Sequence, residues 1–205
     1  MLVLAEENEI VPRLEQLGLN KALLLEVIRA SVGARRNATP FHPVTTAGYN
    51  AWSEGTGHLR RILVSVGWHM SDKDNIPSIY NPATETKIIF QNADRAGDPL
   101  FDPIAASRKG AGAARAVEQA QYDLFPETQK KQIEESRTQL WCLFVMADGD
   151  DVRAEISRPV AINDEQYDEF HERILLVQYG EWQGLDLSED NEPPLDFDIS
   201  VSRKN

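Results

Sequence analysis

The stretch "TQLWCLFVMADGDDVRAEISRPVAI" constrains the fold of this chain more than any other. Leu140 to Ala147 carries apolar side chains at successive positions, so a strand formed there buries both pleat faces, as a central strand does. Asp148, Gly149 and Asp150 supply the turn, because Asp and Gly tolerate the positive φ that tight hairpins need. In the return strand Val152, Ala154 and Ile156 alternate with Arg153, Glu155 and Ser157. That alternation predicts one buried face and one solvated face. Cys142, the single cysteine of the chain, sits within the apolar run. It reads as a core thiol, rules out an intrachain disulfide and makes a reducing cytoplasm the default setting.

The rest of the chain supplies helices first and strands later. "IVPRLEQLG" reads as a short helix with Pro12 near its first turn and Gly18 at its end. In "NKALLLEVIRASVG" Asn20 is an N-cap, Gly33 a stop, and Leu24, Val27, Ile28 and Val32 form one buried face. The loop "ARRNATPFHPVTTAG" precedes a third helix. There Tyr49, Trp52, Thr56, Leu59, Leu63 and Val66 step by three and four, and Gly55 and Gly57 each cost about 1 kcal/mol relative to Ala. Gly67 ends it. "NIPSIYNPATETKIIFQNAD" reads as a β-hairpin with strands near Ser78–Asn81 and Thr86–Asn92. A polar, proline-containing loop and a helix over "AARAVEQAQYDLF" follow. After the central hairpin, "NDEQYDEFHE" reads as a short capped helix and "RILLVQY" as a strand. The expected fold is a single α+β domain over residues 1–185, with N-terminal helices packed on a mostly antiparallel sheet. Residues 186–205 form an acidic segment in which Phe197, Ile199 and Val201 alternate as in an edge strand.

Charge is uneven along the 205 residues. Between Asp148 and Asp198 there are 16 acidic residues against Arg153, Arg158 and Arg173, a net −13, while the remainder of the chain sums to +1. Such a stretch disfavours direct contact with nucleic-acid phosphates and favours a basic partner. The same excess also serves solubility alone. As a docking face, its candidate residues are Asp186, Glu189, Asp190, Glu192, Asp196 and Asp198. Trp182, bracketed by charges and glycines in "GEWQG", is the candidate exposed anchor.

Catalytic motifs are absent from the sequence. His42, His58, His69 and His171 show no metal-ligand spacing, and "DGDD" lacks the ligands of a calcium loop. "ETK" with an upstream Asp loosely imitates the carboxylates and lysine of PD-(D/E)xK nucleases, through Asp72 or Asp74, Glu85 and Lys87. "SRKGAGAARA" places Arg108, Lys109 and two glycines before a helix, which suits an anion, although the lysine precedes the glycines and no P-loop is formed. No cofactor is expected. No apolar run approaches the roughly 20 residues of a membrane span. The first residues lack the basic flank and cleavage pattern of a signal peptide.

Taken together, "GW…SIYNP…TKIIFQNAD", "SRKG" and "ADGDDVRAEISRP…FHERILL" resemble uncharacterised accessory proteins of bacteriophages and integrative elements. The resemblance implies a mobile-element protein acting on a host system and assigns no residue a role. The leading expectation is a non-enzymatic interaction protein, a counter-defence factor whose acidic face occludes a basic surface of a nucleic-acid-handling complex. The alternatives are a metal-dependent nuclease-like enzyme and a homo-oligomer completed by strand 197–201.

Overall fold

The computed structural model describes residues 1–108, 110, 113–114, 117 and 138–186. Its elements run in the order β1 (Leu2–Leu4), α1 (Glu7–Gln16), α2 (Lys21–Arg36), α3 (Thr46–Ser65), β2 (His69–Ser71), β3 (Ser78–Asn81), β4 (Thr86–Arg95), β5 (Ile104–Ala105), β6 (Gln139–Asp148), β7 (Asp151–Asn163), β8 (Gln166–Val177) and α4 (Trp182–Asp186). All strands join one eight-stranded sheet in the order β1-β8-β7-β6-β4-β3-β2, with β5 on β4. Two antiparallel meanders, β2-β3-β4 and β6-β7-β8, meet along a parallel β4–β6 pair. The fold is α+β, as the sequence predicts, with three helices ahead of every strand except the short β1.

Residue 140 onward behaves as a central strand should. Trp141, Leu143 and Val145 of β6 enter one core with α1, α2 and α3, while Leu140, Cys142 and Phe144 enter a second on the opposite face. In that second core Phe144 meets Tyr167 and Phe170 edge-on, at ring separations of 5.5 and 6.1 Å. Cys142 is fully buried.

The helices confirm most of their local signals. Asn20 caps α2 by accepting from the Ala22 amide. Gly33 does not stop that helix, which continues to Arg36, carried past the glycine by buried Ser31 and Val32. Pro12 is the sixth residue of α1 rather than part of its first turn, since the helix starts at Glu7. Of the expected apolar face of α3, Thr56, Leu59 and Leu63 are buried, but Tyr49 and Val66 at the two ends are exposed. Gly67, with φ 95°, turns the chain from α3 into β2.

Two sequence expectations for the second half need correction. "NDEQYDEFHE" is not a helix. Asp164 and Glu165, at φ 48° and 61°, form a tight turn, and β7 pairs with β8 on either side of it. The spacing of Tyr167 and Phe170 imitates a helix. Glu169 in a left-handed conformation (φ 50°) lets both reach the same core from a strand. Pairing with β7 overrides the local pattern.

The outer face of β7 is not solvated either. Glu155 and Ser157 are fully buried there beneath the loop from Ala96 to Pro103. The Arg173 guanidinium donates to both Glu155 oxygens, at 2.9 and 2.6 Å, and to the Asp98 carbonyl at 2.8 Å. Glu155 also accepts from the Gly97 amide at 2.8 Å and from Ser157 at 2.6 Å. Gly97 has φ 64°, and a Cβ there would lie 2.3 Å from the Val177 carbonyl oxygen, so only glycine lets the loop approach this closely.

Candidate functional site

The parallel β4–β6 pair places the carboxyl ends of both strands at one end of the sheet. The chain departs from β4 there into a long connection, leaving a crevice beside the strand end. Helix α3 runs antiparallel to β4 and begins at the same end, where Asn92 donates to the Gly48 carbonyl at 2.7 Å. Between them lies a groove of about 720 Å³. One wall is the start of α3, with Thr45, Tyr49 and Trp52; the others come from Asn75, Asn92, Ser107 and Arg108.

Tyr49 and Trp52 are three residues apart on α3 and so share a face. Their rings sit 6.0 Å apart at 46°. Tyr49 is 63% exposed, and Trp52 is half-buried against the main core. Arg108 also lines the groove, its side chain 85% exposed and 3.0 Å from Glu165. Asp74 and Asn75 both take left-handed φ values, 57° and 58°. Two successive non-glycine residues in that region are costly and mark a backbone held by its surroundings.

Next to the groove, residues 37–45 connect α2 to α3. The Thr39 amide donates to His42 Nδ1 at 3.0 Å, and the His42 amide to the Thr39 carbonyl. Pro40 and Pro43 stiffen the loop further. Two large apolar side chains project from it: Phe41 is 99% exposed and Val44 fully so. The acidic β6–β7 turn reaches the same end of the molecule, where Asp150 lies 3.9 Å from Arg36 at the end of α2.

The sequence candidates fare unevenly. Trp182 is not an exposed anchor. It is 3% exposed and packs into the main core from α4, whose Leu185 carbonyl accepts from Arg29. Apolar area outweighed the charged neighbours that suggested exposure. Asp186 ends α4, while Glu189, Asp190, Glu192, Asp196, Asp198 and the strand expected at 197–201 lie outside the described residues. Arg108 borders the groove; Lys109 and most of the helix expected after it also lie outside the described residues. The nuclease-like trio is not brought together. Glu85 lies at the turn end of the β3–β4 hairpin and Asp74 beyond the other, where Ser78 pairs with Ile89. Among the described residues no group of three His, Cys, Asp or Glu side chains could hold a metal. Among them, too, no helix is long and apolar enough to cross a membrane.

At the opposite edge, Arg13 of α1 grips Glu172 of β8 through two hydrogen bonds of 2.6 and 2.8 Å. That bond raises the Arg13 pKa against the cost of burial. Arg158, paired across the ladder with Glu172, is pulled down by burial; Glu172 works against this and Arg13 adds to it. Burial, then Arg158, then the chain's amino terminus hold His171 below its ordinary value. This arrangement neutralises an acidic residue inside the fold rather than presenting it.

Sequence reasoning assigned Tyr49 to the core and left Phe41 and Val44 as loop residues. The available signal was the pair of prolines flanking Phe41, since an apolar residue in a stiff loop has no local core to join. Comparison with family models, curated proteins and solved structures found no match for this chain.

Proposed function

We propose that this is a non-enzymatic binding protein that docks onto another protein through the 37–45 loop. The observation that carries this reading is the full exposure of Phe41 and Val44 on a proline-braced, hydrogen-bonded loop. Single exposed apolar residues are ordinary, but two on one short, proline-braced loop lose less conformational entropy on binding and suit an apolar pocket of a partner. Exposed Asp148 stands at the same end of the sheet, and Asp150 there lies 3.9 Å from Arg36, the residue that leads into the loop. The net charge of −12 favours a partner with a basic rim. In the setting that the sequence resemblance suggests, that partner is a host nucleic-acid-handling complex, and docking occludes its basic surface. The acidic residues beyond 186 would add long-range steering, screened beyond about 8–10 Å at physiological salt.

The test is capture of partners from the native host by the full chain, by Phe41→Ser/Val44→Ser and by a 1–185 truncation, at low and high salt. The double variant should lose the same species that the full chain retains, with an unchanged melting temperature. The truncation should lose mainly the salt-sensitive part. Capture unaffected by the double variant refutes the loop as the docking surface. Light scattering on the same proteins identifies the case in which the partner is a second copy.

A further inference from the structure

We infer that the groove beside β4 binds a small nucleotide, with the base against Tyr49 and Trp52 and the phosphate on Arg108 and the start of α3. This goes beyond the docking reading and does not use Phe41 or Val44. Three features of the groove meet in one ligand class. The first is aromatic: the exposed Tyr49 ring offers a face on which a planar heterocycle stacks, with the Trp52 ring tilted at 46° beside it.

The second is positive. Thr45 and Gly48 border the groove at the beginning of a 20-residue helix that has no side-chain cap and no acidic residue in its first turn. The partial positive charge of that end is unneutralised by its own helix. Arg108 supplies a full charge on the same groove. Its partner Glu165 is itself exposed, and an exposed pair of this kind is weak enough for a phosphate, with its stronger charge-assisted bonds, to displace. Asp74 also lines the groove but is engaged with another group of the chain.

The third is polar and neutral. Asn75 and Asn92 also line the groove, and a side-chain amide can bond base edges and ribose hydroxyls. The volume, about 720 Å³, falls within the roughly 300–1,000 Å³ of small-molecule clefts. A neutral sugar would use the rings and amides but leave the cationic end idle. An inorganic anion would use the cationic end and leave the rings idle.

Calorimetric titration of the full chain with AMP, adenosine and inorganic phosphate, with tryptophan fluorescence in parallel, tests the assignment. AMP should bind saturably and more tightly than adenosine or phosphate. Tyr49→Ala should weaken AMP about tenfold, the loss of one stacked base. Arg108→Ala should weaken AMP by a similar factor and leave adenosine unchanged. Both side chains are largely exposed, so the variants should keep the parent's melting temperature. Absence of saturable AMP binding overturns the inference. So does AMP binding indifferent to both variants, and so does phosphate binding as tightly as AMP. Phe41→Ser/Val44→Ser should leave AMP affinity intact, so failure here and failure of the docking reading are read separately.

Discussion

Removing one partner of the buried Glu155–Arg173 pair should be the most damaging conservative substitution in the second half of the chain. Both side chains have no exposed surface. Arg173→Met would leave the Glu155 carboxylate buried with only the Gly97 amide and the Ser157 hydroxyl as donors. Glu155→Gln would leave a buried guanidinium facing a neutral amide, with the Asp98 carbonyl and the longer 3.3 Å contact to Asp102 as its remaining partners. Breaking such a pair costs about 3–5 kcal/mol when the remaining charge stays buried without compensation, so Arg173→Met falls toward the upper end and Glu155→Gln, where the Asp102 carboxylate still faces Arg173, toward the lower. For a chain of this size that corresponds to a fall in melting temperature of about 6–20 °C. In the double variant no charge is stranded, so its loss should fall short of the sum of the single losses by about 1–3 kcal/mol. Urea unfolding followed by circular dichroism gives the three free energies. Hydrogen exchange at Gly97 reports whether the covering loop opens with them. Single losses below about 1 kcal/mol, or strictly additive losses, would refute the assignment of this pair as the clasp of the loop.

Two further predictions rest on single contacts. In α3, an added Cβ at Gly55 would sit 2.5 Å from the Phe90 ring, whereas one at Gly57 meets nothing within 4 Å. Thermal melts should therefore show Gly57→Ala stabilising by about 1 kcal/mol and Gly55→Ala destabilising by about 1–3 kcal/mol; shifts of the same sign would sink the argument. The Tyr167 pKa is held well above the ordinary tyrosine value of about 10, first by burial and then by the neighbouring Cys142 thiol. Above pH 10 the unfolded state releases a proton that the native state keeps, so stability falls as pH rises past that value. Alkaline unfolding should begin at higher pH in Tyr167→Phe, and equal onset in the two proteins would contradict it.

The part of the fold that was legible in the sequence is the part set by local periodicity. The β3–β4 hairpin, the central β6 strand and the capped start of α2 each carry their pattern within a dozen residues. What failed was decided at a distance. Tyr167 and Phe170 have helical spacing, yet they lie in β8 because β7 extends six residues beyond Ser157 and offers a pairing partner. Glu155 reads as solvent-facing by alternation, yet a loop from residues 96–103 covers it. Nothing near Glu155 in sequence announces that loop. Gly97 in "RAGDP" is the nearest hint, and its reason for being glycine is visible only once Val177 and Arg153 are packed against it.

The charge count is also reshaped by the fold where its residues are described. A tally over residues 148–198 sees only Arg153, Arg158 and Arg173 as compensating cations. In the fold Arg13 binds Glu172, Arg108 lies against Glu165 and Arg36 approaches Asp150, all three from outside the segment. Asp151 and Glu155 are matched by Arg153 and Arg173 from within it. Among the described residues of that stretch Asp148, Asp164, Asp168, Glu169 and Glu181 are also exposed, spread over the two turns, β8 and the approach to α4, while Glu189, Asp190, Glu192, Asp196 and Asp198 lie outside the described residues. A surface charge is a property of the folded surroundings, and a one-dimensional sum overstates it wherever cations arrive from elsewhere in the sequence. The same logic explains why the groove was half seen. Arg108 stood out because its neighbours in sequence are basic and glycine-rich. Tyr49 and Asn75 did not, because only the packing of α3 against the end of β4 makes them neighbours of one another.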